Sequence, residues 1–356
     1  MLIGDDSAKS RSAVVTPAHR AASLADDGYH AAWWLPGCHL QTVWGRLARP
    51  NDLVRLRREL LATPDGDELV LDHLDGPPGT PRAVLLHGLE GSSFSVYVQG
   101  MLALLAGAGL RATALNFRSC ARDLERNIEW LPNRRPRLYH SGETGDLDLV
   151  VKTLAAREPD VPLLAAGFSL GGNVLLKWLG ENPEQHRVVA AAAVSVPYDL
   201  AAGARYLETR VGGLYVENFL RTLREKIVDL TRRFPAETRH VELARALRAR
   251  TFFEFDDAAT APLHGFADAA DYYARSSSVG FLSRVRAPAL VIGAEDDPFV
   301  PAAVLDRVRD VASPAIELVR THRGGHVGFI AGRAPWRAEY WAETRVVAWL
   351  AEHARD

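Results

Sequence analysis

Gly167-Phe168-Ser169-Leu170-Gly171-Gly172 joins an apolar run, Pro162-Leu163-Leu164-Ala165-Ala166, to a helical one, Asn173-Val174-Leu175-Leu176-Lys177-Trp178. The pattern is G-x-S-x-G, and it stands where a buried strand meets a helix. Glycines two positions either side of a serine let the chain turn tightly enough to lift the hydroxyl above a sheet edge. A glycine-rich turn with an incidental serine would show the same short pattern. The strand before it and the helix after it favour a nucleophile at Ser169.

Outward from this turn, short apolar runs alternate with helical stretches. Leu60 to Thr63 and Glu68 to Leu71 flank the turn Pro64-Asp65-Gly66-Asp67 and read as a hairpin. Ala83 to Leu86 precedes a helix near Val98 to Leu105, and Ala112 to Asn116 precedes one from about Gly145 to Ala156. Leu163 to Phe168 leads into Leu170 to Leu179, and Val188 to Val196 ends at Pro197. Ala289 to Ile292 and Ile316 to Val319 resume the rhythm, and an amphipathic helix is expected near Trp336 to His353. Such alternation predicts an α/β fold with a mostly parallel central sheet and helices on both faces. Between Tyr198 and about Val285 the rhythm breaks into an Arg-rich helical segment, the natural place for an inserted helical cap. The expected division is an N-terminal arm over 1–52, with Met1 to about Asp27 polar and aperiodic. A first core part over 53–197, the cap over 198–285 and a second core part over 286–356 follow.

A serine hydroxyl needs a base, and the base needs an orienting acid. For a serine on a strand-to-helix turn the expected chain order is Ser, then Asp or Glu, then His. Ala294-Glu295-Asp296-Asp297-Pro298 follows one strand and offers Asp297, with Asp296 as its competitor. Thr321-His322-Arg323-Gly324-Gly325-His326 follows the next and offers His326 between glycines, with His322 as the alternative base. A solvated turn or helix cap would also explain the Asp pair. Three elements in the right order favour the catalytic reading. An oxyanion would need two backbone N–H donors. One is expected from Leu170, and the other from Leu89 in the loop His87-Gly88-Leu89-Glu90-Gly91, where His87 reads as a structural hydrogen-bonding group.

These stretches carry a resemblance. With Trp34-Leu35-Pro36, His39-Leu40-Gln41-Thr42, Asn116-Phe117-Arg118 and Tyr139-His140-Ser141-Gly142-Glu143-Thr144, the chain resembles the YheT-like branch of the α/β-hydrolases over about residues 33–330. The resemblance implies an α/β-hydrolase fold and hydrolysis of carboxylic esters, with Ser169, Asp297 and His326 on the family's triad positions. One departure is Ser119, where the family usually has Gly after Asn-x-Arg.

Composition excludes several classes. The 356 residues carry 42 Lys+Arg against 44 Asp+Glu, a net charge of −2 with no general pull toward nucleic acid or anionic lipid. Two cysteines, Cys38 and Cys120, supply neither a disulfide framework nor a zinc motif. The acidic start, Met1 to Asp6, is unlike a signal peptide, and Val188 to Val196 is about half the length of a membrane span. A cytoplasmic protein without transmembrane segment is expected, needing no metal and no cofactor; the sequence specifies no oligomeric state. Gly107 to Ala112 fits G-x-G-x-x-A but follows a helix and precedes a strand, the wrong order for a dinucleotide loop. The basic run Asn133 to Arg137 reads as a solvated loop.

The expectation is a serine hydrolase acting on a small-molecule ester, with acyl transfer through the same residues or ligand binding without turnover as alternatives. The cap aromatics Phe252, Phe253, Phe255, Tyr272 and Tyr273 either line an acyl pocket or pack the cap.

Overall fold

The computed structural model describes residues 28–124, 130–208 and 210–355. The polar stretch read as a loose arm, Met1 to Asp27, lies outside the described residues. Helix α1 (Cys38–Ala48) comes first, followed by strands β1 (Arg57–Ala62) and β2 (Glu68–Leu74). Then come β3 (Arg82–Leu86), α2 (Val96–Gly107), β4 (Arg111–Asn116), α3 (Gly145–Arg157), β5 (Leu163–Phe168), α4 (Leu170–Glu181) and β6 (Val188–Val194). Six α-helical segments follow before the sheet resumes: α5 (Leu200–Tyr206), α6 (Arg210–Arg233), α7 (Leu243–Arg248), α8 (Phe252–Phe255), α9 (Ala261–Leu263) and α10 (Ala269–Ser276). A π-helical turn, Asp256–Thr260, joins α8 to α9. The chain closes with β7 (Ala289–Ala294), α11 (Ala302–Val311), β8 (Ile316–Thr321), the short pair β9 (Ile330–Ala331) and β10 (Glu339–Tyr340), and α12 (Trp341–His353).

Eight strands form one sheet in the order β1-β2-β4-β3-β5-β6-β7-β8. The β1–β2 and β2–β4 pairs are antiparallel, and the five pairs from β4–β3 to β7–β8 are parallel. Strands β3 to β5 and β7 are buried at every position, the consequence of near-continuous Ala, Val, Leu and Ile that require cover on both faces. On one face, Val84, Leu86 and Ala165 pack with α3, α4 and α11 through Leu147, Val174, Leu175 and Leu305. On the other, Leu85, Ala166 and Phe168 pack with α2 and α12 through Met101, Leu105, Val346 and Leu350. Alternating strand residues thus feed two separate cores.

The segment between β6 and β7 has a core of its own. On α6, Val216, Leu220, Ile227 and Leu230 bury one helical face against Ala246, Phe255 and Ala258, and Leu138 of the sheet domain joins them. Leu207, Phe219, Phe252 and Tyr272 of this segment line one cavity with Leu89, Ser169 and Phe299, which follow the C-terminal ends of β3, β5 and β7.

The last helix starts later than its pattern suggested. Pro335–Arg337 is a 3₁₀ turn, and Glu339–Tyr340 pairs with Ile330–Ala331, so α12 begins at Trp341. Trp336, which begins the expected helix, lies in that turn and is 82% exposed, and periodicity alone does not separate such a turn and short strand from helix. No helix among the described residues is long and apolar enough to cross a membrane.

Candidate active site

Ser169 is the single residue between β5 and α4, with φ 51° and ψ −121°. Positive φ in a non-glycine residue is costly and persists only where the surroundings impose it. Here the neighbours are so close that only glycine fits. A Cβ on Gly167 would lie 2.5 Å from the Gly171 carbonyl oxygen, and one on Gly171 2.5 Å from that of His87. A Cβ on Gly172 would meet Val196 Cγ2 at 2.6 Å. The glycines permit the close strand–helix approach that leaves the Ser169 hydroxyl at the tip.

His326 follows β8 and Asp297 follows β7, both at strand C-terminal ends on the same side as Ser169. His326 Nε2 is 2.9 Å from Ser169 Oγ, and Nδ1 is 2.9 and 3.1 Å from the two Asp297 carboxylate oxygens. An Nδ1–H donating to Asp297 leaves Nε2 as an acceptor for the serine proton. Asp297 is buried, and its Oδ1 also accepts the N–H groups of Phe299 at 2.8 Å and Val300 at 3.2 Å. The two alternatives go elsewhere. Asp296 accepts the Gly325 N–H at 2.9 Å, and His322, with its side chain 86% exposed, pairs with Glu295 at 2.7 Å.

Groups with no assigned role in the sequence reading hold the histidine loop. Thr42 Oγ1 accepts the His326 backbone N–H at 2.9 Å and donates to Cys38 O at 2.8 Å. Gln41 clasps Ile330 twice, its Oε1 accepting the N–H at 2.7 Å and its Nε2 donating to the carbonyl at 3.1 Å. Ser195 Oγ accepts the Val327 N–H at 2.9 Å, and Phe299 stacks on the His326 ring at 4.2 Å between centroids. The signal for Gln41 and Thr42 was the motif His39 to Thr42; nothing local to it states a purpose.

The loop after β3 is held on both sides of Leu89. His87 Nδ1–H donates to Gly88 O at 2.7 Å and Nε2 accepts the Phe117 N–H at 3.1 Å. Burial pushes its pKa down to about 4, so the ring stays neutral. Gly88 N–H donates to the Tyr97 hydroxyl and Glu90 N–H to that of Tyr139, both at 2.7 Å. Among the described residues, neither Leu89 N–H nor Leu170 N–H has an acceptor, and both residues line the cavity that contains Ser169 and His326. Nearby, Ser119 adopts φ 59° without being glycine, and its Oγ donates to Asn133 Oδ1 at 2.8 Å. That bond compensates for the missing glycine.

The cavity has a volume of about 820 Å³. Its helical roof includes Leu200, Leu207, Phe219, Phe252, Tyr272 and Tyr273. Two residues expected among its candidates do not line it. Phe255 is buried in the core of the helical segment, and Phe253 is 43% exposed against Tyr273. Successive residues on one helical turn diverge by about 100°, so Phe252, Phe253 and Phe255 cannot all face one space. Among the described residues no group of three or more His, Cys, Asp or Glu side chains is arranged to hold a metal ion.

The family model described as the alpha/beta hydrolase fold matches residues 81–332. The chain belongs to the α/β-hydrolases. Within them it is 35% identical over 316 residues to the YheT protein of Escherichia coli (strain K12), whose name places it only provisionally among the esterases. That match covers 88% of this chain and 90% of the other, and it puts this α/β-hydrolase in the YheT-like branch. It is also 30% identical over 325 residues to phospholipase ABHD3 of Homo sapiens, covering 89% of this chain and 77% of that one. Among solved structures, Pyrococcus furiosus esterase Pf2001 matches with a TM-score of 0.52 and 16% identity, over 85% of this chain and 94% of the other. At that identity the α/β-hydrolase shares its fold.

Proposed function

We propose that this α/β-hydrolase is a serine hydrolase of carboxylic esters that works through an acyl-enzyme. The observation that carries the reading is the unbroken line from Ser169 Oγ to His326 to buried Asp297, opening into one cavity. Ser169 Oγ attacks the ester carbonyl while His326 Nε2 takes its proton. The C–O bond to the alcohol then breaks, and His326 returns the proton to the leaving oxygen. Asp297 keeps the imidazole in the productive tautomer and stabilises its charged form. The N–H groups of Leu89 and Leu170 receive the oxyanion, each worth on the order of 10²–10³ in rate. Water activated by His326 then attacks the acyl-enzyme and releases the acid and free Ser169.

The aromatic and aliphatic roof favours an apolar acyl group. About 820 Å³ lies within the size range of cavities that enclose drug-sized ligands, which accommodates an acyl chain together with its alcohol. The names of the relatives, one provisionally an esterase and one a phospholipase, point the same way. The test is hydrolysis of p-nitrophenyl esters from acetate to palmitate beside Ser169→Ala. Turnover that disappears in the variant supports the reading, and turnover that survives it overturns the mechanism.

A further inference from the structure

We infer that Lys226, on helix α6 of the roof, is a positioning residue for the oxyanion-binding loop, holding Leu89 N–H in place through Glu90. The inference rests on the proposed role of Leu89.

Lys226 Nζ donates to Glu90 Oε1 at 2.7 Å, with the lysine side chain 3% and the glutamate side chain 8% exposed. The same carboxylate oxygen accepts the Tyr139 O–H at 2.7 Å, while the Tyr139 oxygen accepts the Glu90 backbone N–H at 2.7 Å. Glu90 and Tyr139 therefore close a hydrogen-bonded ring, and Lys226 holds the carboxylate of that ring from α6. The Tyr139 ring stacks on Phe117 at 5.5 Å with planes 8° apart, and the Phe117 N–H is bound by His87. Both ends of His87-Gly88-Leu89-Glu90 are thus tied to one rigid aromatic pair, and Leu89 lies between the ties.

Three observations favour positioning over packing. Glu90 holds φ 54°, a conformation a non-glycine residue keeps only under constraint. Burying an ammonium is costly unless it is paired, and a methionine would fill the same space without that cost. Lys226 is not among the residues lining the cavity, whereas Glu90 and Tyr139 are. It therefore acts through Glu90, not on substrate. Because Lys226 belongs to the roof and the loop to the sheet domain, the oxyanion site is complete only when α6 is seated on the core.

The experiment compares wild type, Lys226→Met and the double variant Glu90→Gln/Lys226→Met in the full chain. Steady-state kinetics on the best p-nitrophenyl ester is measured beside hydrogen exchange of the peptide 86–97. Lys226→Met leaves the Glu90 carboxylate buried and unpaired, so the loop relaxes. The expected result is a fall in kcat of about 30-fold or more, short of losing one oxyanion donor outright, with KM within about threefold. Exchange in peptide 86–97 rises. The double variant buries no unpaired charge and recovers part of kcat. Should Lys226→Met fail to fold, the double variant decides alone, with kcat expected about tenfold below wild type, KM unchanged and exchange raised.

Three results would overturn the inference: kcat within about threefold of wild type, an effect confined to KM, or lower thermal stability with unchanged kcat and exchange. The exchange readout needs no turnover. Wild type inactive on every ester, with exchange raised in the variant, would sink the ester reading and leave the clamp standing. Active wild type with a normal Lys226→Met would do the reverse.

Discussion

Thr42 and His326 are 284 positions apart in sequence and joined by one hydrogen bond, the threonine hydroxyl accepting the histidine backbone N–H at 2.9 Å. The glycine before the histidine makes the approach possible. Gly325 has φ 62°, and a Cβ there would lie 2.5 Å from Cys38 O and 2.7 Å from Thr42 Oγ1. Helix α1 is therefore a buttress for the imidazole, although it lies outside the eight-stranded sheet.

Removing that buttress should cost rate more than binding. Thr42→Val keeps the shape and leaves the His326 N–H unsatisfied, so kcat should fall about tenfold, with a stability loss of about 1–3 kcal/mol. Thr42→Ser should restore both. Steady-state kinetics and thermal denaturation of the two variants check this, and unchanged kcat in Thr42→Val would refute it.

The choice among neighbouring acids and bases has an equally sharp consequence. Asp297→Asn removes the acceptor that sets the imidazole tautomer and should lower kcat by on the order of 10³–10⁴. Asp296→Asn and His322→Ala should stay within roughly tenfold of wild type, because neither side chain touches Ser169 or the His326 ring. A large loss in His322→Ala would contradict the assignment.

The three phenylalanines of α8 should separate into three phenotypes. Phe252→Ala enlarges the cavity and should move the acyl-length optimum or raise KM for long esters. Phe253→Ala, 43% exposed in wild type, should change neither kinetics nor stability appreciably. Phe255→Ala empties part of a buried core and should destabilise by about 3–5 kcal/mol. Chain-length profiles and denaturant titrations of the three variants test all of this.

Asp256 lines the cavity and is half-buried, accepting the Thr260 hydroxyl at 2.6 Å and the Tyr273 hydroxyl at 2.8 Å. Burial raises its pKa from 3.8 to about 6, with the two hydrogen bonds opposing. The folded state therefore binds this proton more tightly than the unfolded state. The resulting stabilisation is present below pH 3.8 and is lost as pH rises through about 6, amounting to about 3 kcal/mol. Asp256→Asn carries a constant hydrogen-bonding penalty but no titration. Its stability relative to wild type should improve between pH 4 and pH 8 in urea denaturation, and a constant difference would refute the shift.

The strand–helix alternation, the G-x-S-x-G turn and the Ser–acid–His order are local patterns. They follow from the spacing of apolar residues along a strand and from the steric freedom of glycine, so the sequence by itself determined the sheet, the two faces of helices and the candidates Ser169 and His326. It also narrowed the acid to two adjacent positions and the oxyanion loop to five.

What remained depends on directions that only folding sets. Asp296 and Asp297 differ by one residue, and the turn after β7 sends one carboxylate to Gly325 and the other to His326. Phe252, Phe253 and Phe255 share one short stretch, and the phase of α8 decides which faces the cavity, which faces solvent and which is buried. Lys226 reads in sequence as one more charge on an amphipathic helix. It becomes a buried partner of Glu90 only because α6 is laid across the sheet domain. Thr42 could not be given a purpose from its neighbours, since the group it holds arrives from the far end of the chain. Hydrogen bonds and packing act over a few ångströms of space and take no account of separation along the chain, so the tertiary structure alone decided these contacts.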